Sequence, residues 1–436
     1  MKKSLFALAA LSAFATAAQA QSSVTLYGNL DATEAYQSAG IGKSLALTAS
    51  ANTTSLWGMT GSEDMGSGMK MGFDLKSEIN LATGATGSGT NVTPTSSLTI
   101  TTLGTTGGSS PTNVGGNSNL FNRGANIFIS SASLGEVKIG RMDDIEWAMS
   151  GQYSTSGSNS FGSNQAHAQI GNIANTGLGV CGTPGIPNQG VCSTMGYNNA
   201  NNNNTYQGTA DAFMAGIQYT TPTFSGFSAK VQTGLGDNSS TQVMSAGNTQ
   251  GWGLFYKGLG GNLDLAVAQS LRFDDVGQLG FRLTSFGAKY KVIPSMTLIG
   301  TYTQVGLSGA TAGGGVIGVS GANSGNSMYS FGVNYQVTPA IDVNLAYTNV
   351  TGDTVATATT AANGSVNGNA NSVNMLGLTG RYSFSKRTTM YAGIGQANNS
   401  GAYFMSPIYG GTSMAGTTQG TGSNIFAGML GLRHSF

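Results

Sequence analysis

Asn424 to Phe436 reads NIFAGMLGLRHSF, and its even positions Phe426, Leu430, Leu432, His434 and Phe436 alternate with smaller or polar residues. A period of two is the pattern of a strand with one face in an apolar medium. Val24 to Tyr36, VTLYGNLDATEAY, repeats it, with Thr25, Tyr27, Asn29, Asp31 and Thr33 on one face and Val24, Leu26, Leu30 and Ala32 on the other. A sheet crosses a bilayer only if every backbone N–H and C=O is paired, so the two terminal strands predict a seam that closes a barrel. Taken alone, the same two segments also suit half-buried strands of a soluble sandwich.

Composition separates these readings. The chain has 436 residues, 68 of them Gly, and charged residues make up 8%, against about 25% in soluble domains. No charged or proline-rich linker divides it, which favours one large architecture. Lys2 and Lys3 precede an apolar run from Leu5 to Ala18, and Ala18-Gln19-Ala20 completes a secretory signal peptide over residues 1–20. The apolar run is shorter than the ~20 residues of a spanning helix. Residues 21–436 are then the barrel. Acidic and basic residues nearly balance and form no basic face, so no nucleic-acid partner is expected. Cys181 and Cys192 lie in a Gly/Asn/Pro-rich stretch of an exported chain, which predicts a loop-closing disulfide.

Along the chain, Met69 to Ile79 puts Lys70, Asp74, Lys76 and Glu78 on one face and Met69, Met71, Phe73, Leu75 and Ile79 on the other. Lipid outside and water inside suits such a strand. Similar segments follow to a total of about 16, an even number, joined alternately by short turns (SLG, TPTFSGF, GLGGN, IPS, TPA, FSK) and long Gly/Ser/Thr/Asn-rich connections. Segregating short turns from long loops is a property of outer-membrane barrels. The fold class expected is therefore an all-β transmembrane antiparallel barrel.

Several stretches carry a family resemblance: SSVTLYGNLDA, GSEDMGSGMKMGFDLKSEINLATG, NLFNRGANIFISSASLGEVKIGR, YTTPTFSGF, RYSFSKRTTMYA and the terminal GLRHSF. In this order, and spanning the chain, they resemble a general diffusion porin of the Gram-negative outer membrane, of the betaproteobacterial type. The resemblance implies a 16-stranded homotrimer in outer-membrane lipid, whose third loop folds into the pore. It also implies that Phe436 acts as an assembly signal for the outer-membrane barrel assembly machinery. Ser55, Leu56 and Trp57 stand where such porins usually carry an arginine.

Alternation places Lys70, Lys76, Lys138, Lys230, Lys289, Lys291, Arg381, Arg387 and Arg433 toward the lumen, with Asp31, Asp74, Glu78, Glu136, Asp264 and Asp342. Asp143, Asp144 and Glu146 open the third loop directly after Arg141 and are expected at the pore constriction. In a water channel with low-dielectric walls, opposed charges make a field that sorts solutes. These carboxylates also suit solvated loop residues or a weak calcium site, and Arg141, near a strand end, suits a structural ion pair as well as a pore role. Counted this way, acids and bases balance, and a weakly selective channel for ions and small hydrophilic solutes is expected. A barrel with a closed lumen and adhesive loops is the alternative. His167 and His434 are the only histidines and neither has a nucleophile beside it in sequence, so no enzyme is expected. No cofactor or metal is expected either; Gly313, Gly315 and Gly318 match GxGxxG by composition alone.

Overall fold

The computed structural model describes residues 23–39, 42–86, 120–164, 166–167, 213–235, 244–245, 248–273, 279–307, 324–352, 371–400, 405–408 and 424–436. The expected signal peptide and the Cys181–Cys192 pair lie outside these residues. One antiparallel sheet contains β1 (Ser23–Ala39), β2 (Gly42–Ala49), β3 (Leu56–Gly66), β4 (Met69–Glu78), β5 (Gly124–Ser131), β6 (Gly135–Asp143), β7 (Phe213–Thr220), β8 (Phe227–Gly234) and β9 (Thr249–Gly258). It continues through β10 (Leu263–Phe273), β11 (Leu279–Ile293), β12 (Met296–Leu307), β13 (Ser324–Thr338), β14 (Ile341–Gly352), β15 (Asn371–Ser383), β16 (Thr388–Ser400) and β17 (Ile425–Ser435). One helix, α1 (Ile145–Gln152), follows β6.

The ring closes at β1. Its one edge pairs with β17 from Asn29↔Ser435 to Ala39↔Ile425, and its other edge pairs with β3 from Ser23↔Ser62 to Asn29↔Leu56. Above that, β2 pairs with the same edge of β1, from Ala32↔Ala49 to Ala39↔Gly42. Strands β2 and β3 therefore share one stave, and the closed ring has sixteen members, as expected. Closure leaves the ring without an open edge. Sequence periodicity marks neither β2 nor an interruption before β3. In the structure, residues 50–55 instead form a break organised by Asp31, whose Oδ2 accepts from the backbone N–H groups of Asn52 (2.8 Å) and Thr53 (2.7 Å). Asp31 also accepts from the Tyr391 hydroxyl and is fully buried, so it is not a water-facing acid of the wall.

The two faces of the wall separate as the alternation predicts. Leu26, Ile129, Ile217, Leu254, Phe331, Leu376, Ile394 and Leu430 are exposed on the outer face, the inverse of a soluble core. The inner face carries charged side chains, Ser, Thr, Asn and many Gly. At the seam, Gly28 and Phe436 exchange both backbone hydrogen bonds (3.1 and 3.0 Å), and the Phe436 ring lies where a side chain on Gly28 would sit. The closing strand is thus locked by a ring-to-glycine contact as well as by its ladder.

Candidate functional site

Residues of the segment 144–164 bond to groups on the polar face. Asp144 caps α1, accepting from the Glu146 N–H at 2.9 Å, which satisfies one of the free N–H groups of the first turn. The same carboxylate accepts from Gln232 of β8 and Ser270 of β10. Beyond the helix, Tyr153 donates its hydroxyl to Asp264 of β10, and Asn344 of β14 donates to the Thr155 carbonyl at 3.0 Å. Arg381 of β15 donates to the Gly157 carbonyl at 2.7 Å, and the Asn159 N–H donates to the Asn52 carbonyl at 2.9 Å in the break beside β1. These partners, on β8, β10, β14, β15 and the break next to β1, are spread widely around the ring.

Phe161 is a second buried aromatic anchor of the segment, with Tyr153. Its ring fills the space left by Gly393 and Gly395 on β16 and its Cβ and carbonyl lie against Gly377 on β15, so that any Cβ at these glycines would collide with Phe161, which is fully buried. Its backbone has φ 62°, a left-handed conformation that a bulky residue adopts only under constraint, and its N–H donates to the Pro407 carbonyl at 2.7 Å. The three glycines therefore form a socket for one aromatic ring.

Charged groups along the face pair closely. Lys76 lies 3.3 Å from Asp74 and 3.6 Å from Asp143; Lys138 lies 3.5 Å from Glu136. Arg381 meets Asp342 at 2.6 Å, and Arg123 meets Glu78 at 2.6 Å with both side chains buried. His167 is buried, and its ring stacks on Trp147 at 5.9 Å. Burial pushes its imidazole down to about 4, against the opposing pull of Asp144, so the ring is neutral at neutral pH. Burial, and then its bond to Asp264, pushes the Tyr153 phenol up.

The expected site residues distribute unevenly. Asp143 and Lys76 come together, while Asp144 and Glu146 are fully buried against the wall instead of facing water. Arg141, in register with Ala125 and Ala215, donates its Nε to the Asn122 carbonyl at 2.6 Å. Arg387 stands in the exposed turn 384–387, where strand alternation has no meaning. Lys70 borders the β3–β4 turn, six residues from Lys76 and so about 20 Å along the strand. Arg433 is on the inner face, in register with Asp31. Sequence reasoning missed Lys257, which lies 3.9 Å from Asp264, and the anchors Tyr153 and Phe161.

The Gram-negative porin family matches residues 7–402. The chain belongs to this porin family. Outer membrane porin protein 32 of Delftia acidovorans is 49% identical over 81 residues, 18% of this chain and 23% of that protein. An outer membrane porin protein of Bordetella pertussis is 26% identical over 251 residues, 54% of this chain and 48% of that protein. These matches span less than half the length of either relative. Among solved structures, the anion-selective porin from Comamonas acidovorans superposes with a TM-score of 0.64 at 19% identity, covering 95% of this chain and 100% of that one. The trimer form of OmpT from Vibrio cholerae gives 0.54 at 12% identity, covering 95% and 99%. Both likenesses support the fold. The porin's place is the outer membrane, as an integral β-barrel.

Proposed function

We propose that this porin is a passive, water-filled channel for ions and small hydrophilic solutes, that its segment after β6 is the third loop folded into the pore, and that the pore prefers anions. The observation that carries the reading is the polar inner face of a closed ring, on which the carboxylates are occupied while several ammonium groups are not. Asp31, Asp144 and Glu146 are fully buried, Glu78 is buried on Arg123, and Asp342 is paired with Arg381. Lys70, Lys230, Lys289, Lys291 and Arg433 have no carboxylate within ion-pair distance among the described residues. The balance expected from the sequence counted buried acids as if they faced water; solutes in the lumen meet mainly the remaining groups, among which the basic ones are in excess. In a narrow pore with low-dielectric walls that excess raises the local concentration of anions. The similar Comamonas porin is itself anion-selective.

The test of selectivity is the zero-current potential across a salt gradient in a planar bilayer. We expect the sign of an anion-preferring pore, shrinking as salt rises, because screening acts over about 8 Å at physiological ionic strength. A cation-preferring sign would withdraw the charge assignment.

A homotrimer is part of the same proposal, supported by family membership and by the trimer form of the similar Vibrio protein. Cross-linking in mild detergent is expected to stop at three copies, and a species that stays monomeric would remove this part.

A further inference from the structure

We propose that Lys257, Lys289 and Lys291 form a binding subsite for multivalent phosphate anions at the short-turn mouth of the pore. The inference rests on the channel reading and adds a ligand class and a place to it. Lys257 of β9, Asp264 of β10 and Lys289 of β11 are direct cross-strand neighbours on the inner face, through Asp264↔Lys257 and Asp264↔Lys289. Neighbouring strands are about 4.8 Å apart, so the two lysines flank Asp264 with about 10 Å between their backbones. Lys291 is two residues beyond Lys289 on the same face, about 7 Å along the strand, with its N–H bonded to the Asn262 carbonyl at 2.8 Å. The turns 259–262 and 294–295 border the group, which places it at the rim with the short connections.

Asp264 is the one acid in this row, and it is already engaged. Tyr153 donates to its Oδ1, Gln152 Nε2 stands 3.4 Å from its Oδ2, and Lys257 Nζ stands 3.9 Å from the same oxygen. Lys289 Nζ instead sits over the Tyr153 ring, 5.6 Å from its centroid. Three lysines stand against one carboxylate in this row, so its side chains are basic in excess. Lys257 is well exposed, with 68% of its side-chain surface free. Flexible ammonium groups act as point charges and converge on a compact, highly charged oxyanion, the way Lys binds phosphate. A multivalent phosphate supplies both the charge and the several acceptor oxygens that three lysines require.

The experiment records chloride current through the full-length porin in a planar bilayer while inorganic pyrophosphate is added at constant ionic strength. We expect a saturable reduction of current, reached at lower concentration from the short-turn side. Replacing the three lysines together by Gln should raise the half-blocking concentration by about tenfold or more, a loss of about 1.4 kcal/mol or more, while the triple Arg variant keeps the block. Lys257→Gln alone, at an exposed position, should shift it in the same direction. A chloride current that pyrophosphate leaves unchanged, or a block that survives the triple Gln change, would overturn the subsite. A protein that passes no chloride at all would instead overturn the channel reading beneath it.

Discussion

Phe161→Ala is expected to raise single-channel conductance and make the current noisier. Phe161 fills the socket of Gly377, Gly393 and Gly395, and truncating a buried Phe to Ala costs about 3–5 kcal/mol of packing. Ile145, Met149 and Tyr153 pack the helix end of the segment, but around Phe161 itself the segment is held by scattered polar bonds, such as Arg381 to the Gly157 carbonyl and Asn344 to the Thr155 carbonyl. Hydrogen bonds of this kind contribute about 1 kcal/mol each, too little to replace the lost anchor. The ring of strands does not depend on Phe161 for its ladder, so the barrel itself should keep its heat-modifiable mobility in gels. Gly395→Val, which fills the socket from the wall side, should give the same opening. Unchanged conductance in both variants would show that this segment does not set the narrowest section.

The second large effect concerns the seam. Gly28→Val places a branched side chain where the Phe436 ring lies, and deletion of Phe436 removes the ring together with the backbone pair to Gly28. Each change weakens the bond between first and last strands, the one joint that the other hairpins cannot supply. Both variants should reach the membrane in reduced yield and refold more slowly, with the deletion the more severe because it also removes the proposed signal for the barrel assembly machinery. Pulse labelling of the heat-modifiable form measures this. A chain ending at Ser435 that assembles at the normal rate and yield would contradict both roles of Phe436.

Where the chain obeys a period of two, the side on which a residue stands can be read from its spacing. Phe426, Leu430 and Leu432 face outward, and Asp74, Lys76, Lys138, Lys289 and Arg381 line the inner face, because in a strand spacing alone determines the side. The break at residues 50–55 is hidden from any local pattern because it depends on Asp31, 21 residues before Asn52, accepting from Asn52 and Thr53. Alternation misplaces Arg387 because the strand period does not extend into a turn. Within the segment after β6 no period exists to read. Asp144 and Glu146 look like exposed loop acids by type, yet an Asp at the start of a helix is also an N-cap, and the cap geometry buries both. Phe161 gives no sequence signal at all, since its partners are three glycines more than two hundred residues away.

Single-channel recording in a planar bilayer tests the central claim most directly. Purified, folded protein should insert in discrete steps of stable, nearly ohmic current, each step carrying more anion than cation. A fully folded barrel that inserts and passes no current would contradict the channel reading and return the chain to the alternative of a closed barrel whose loops do the work.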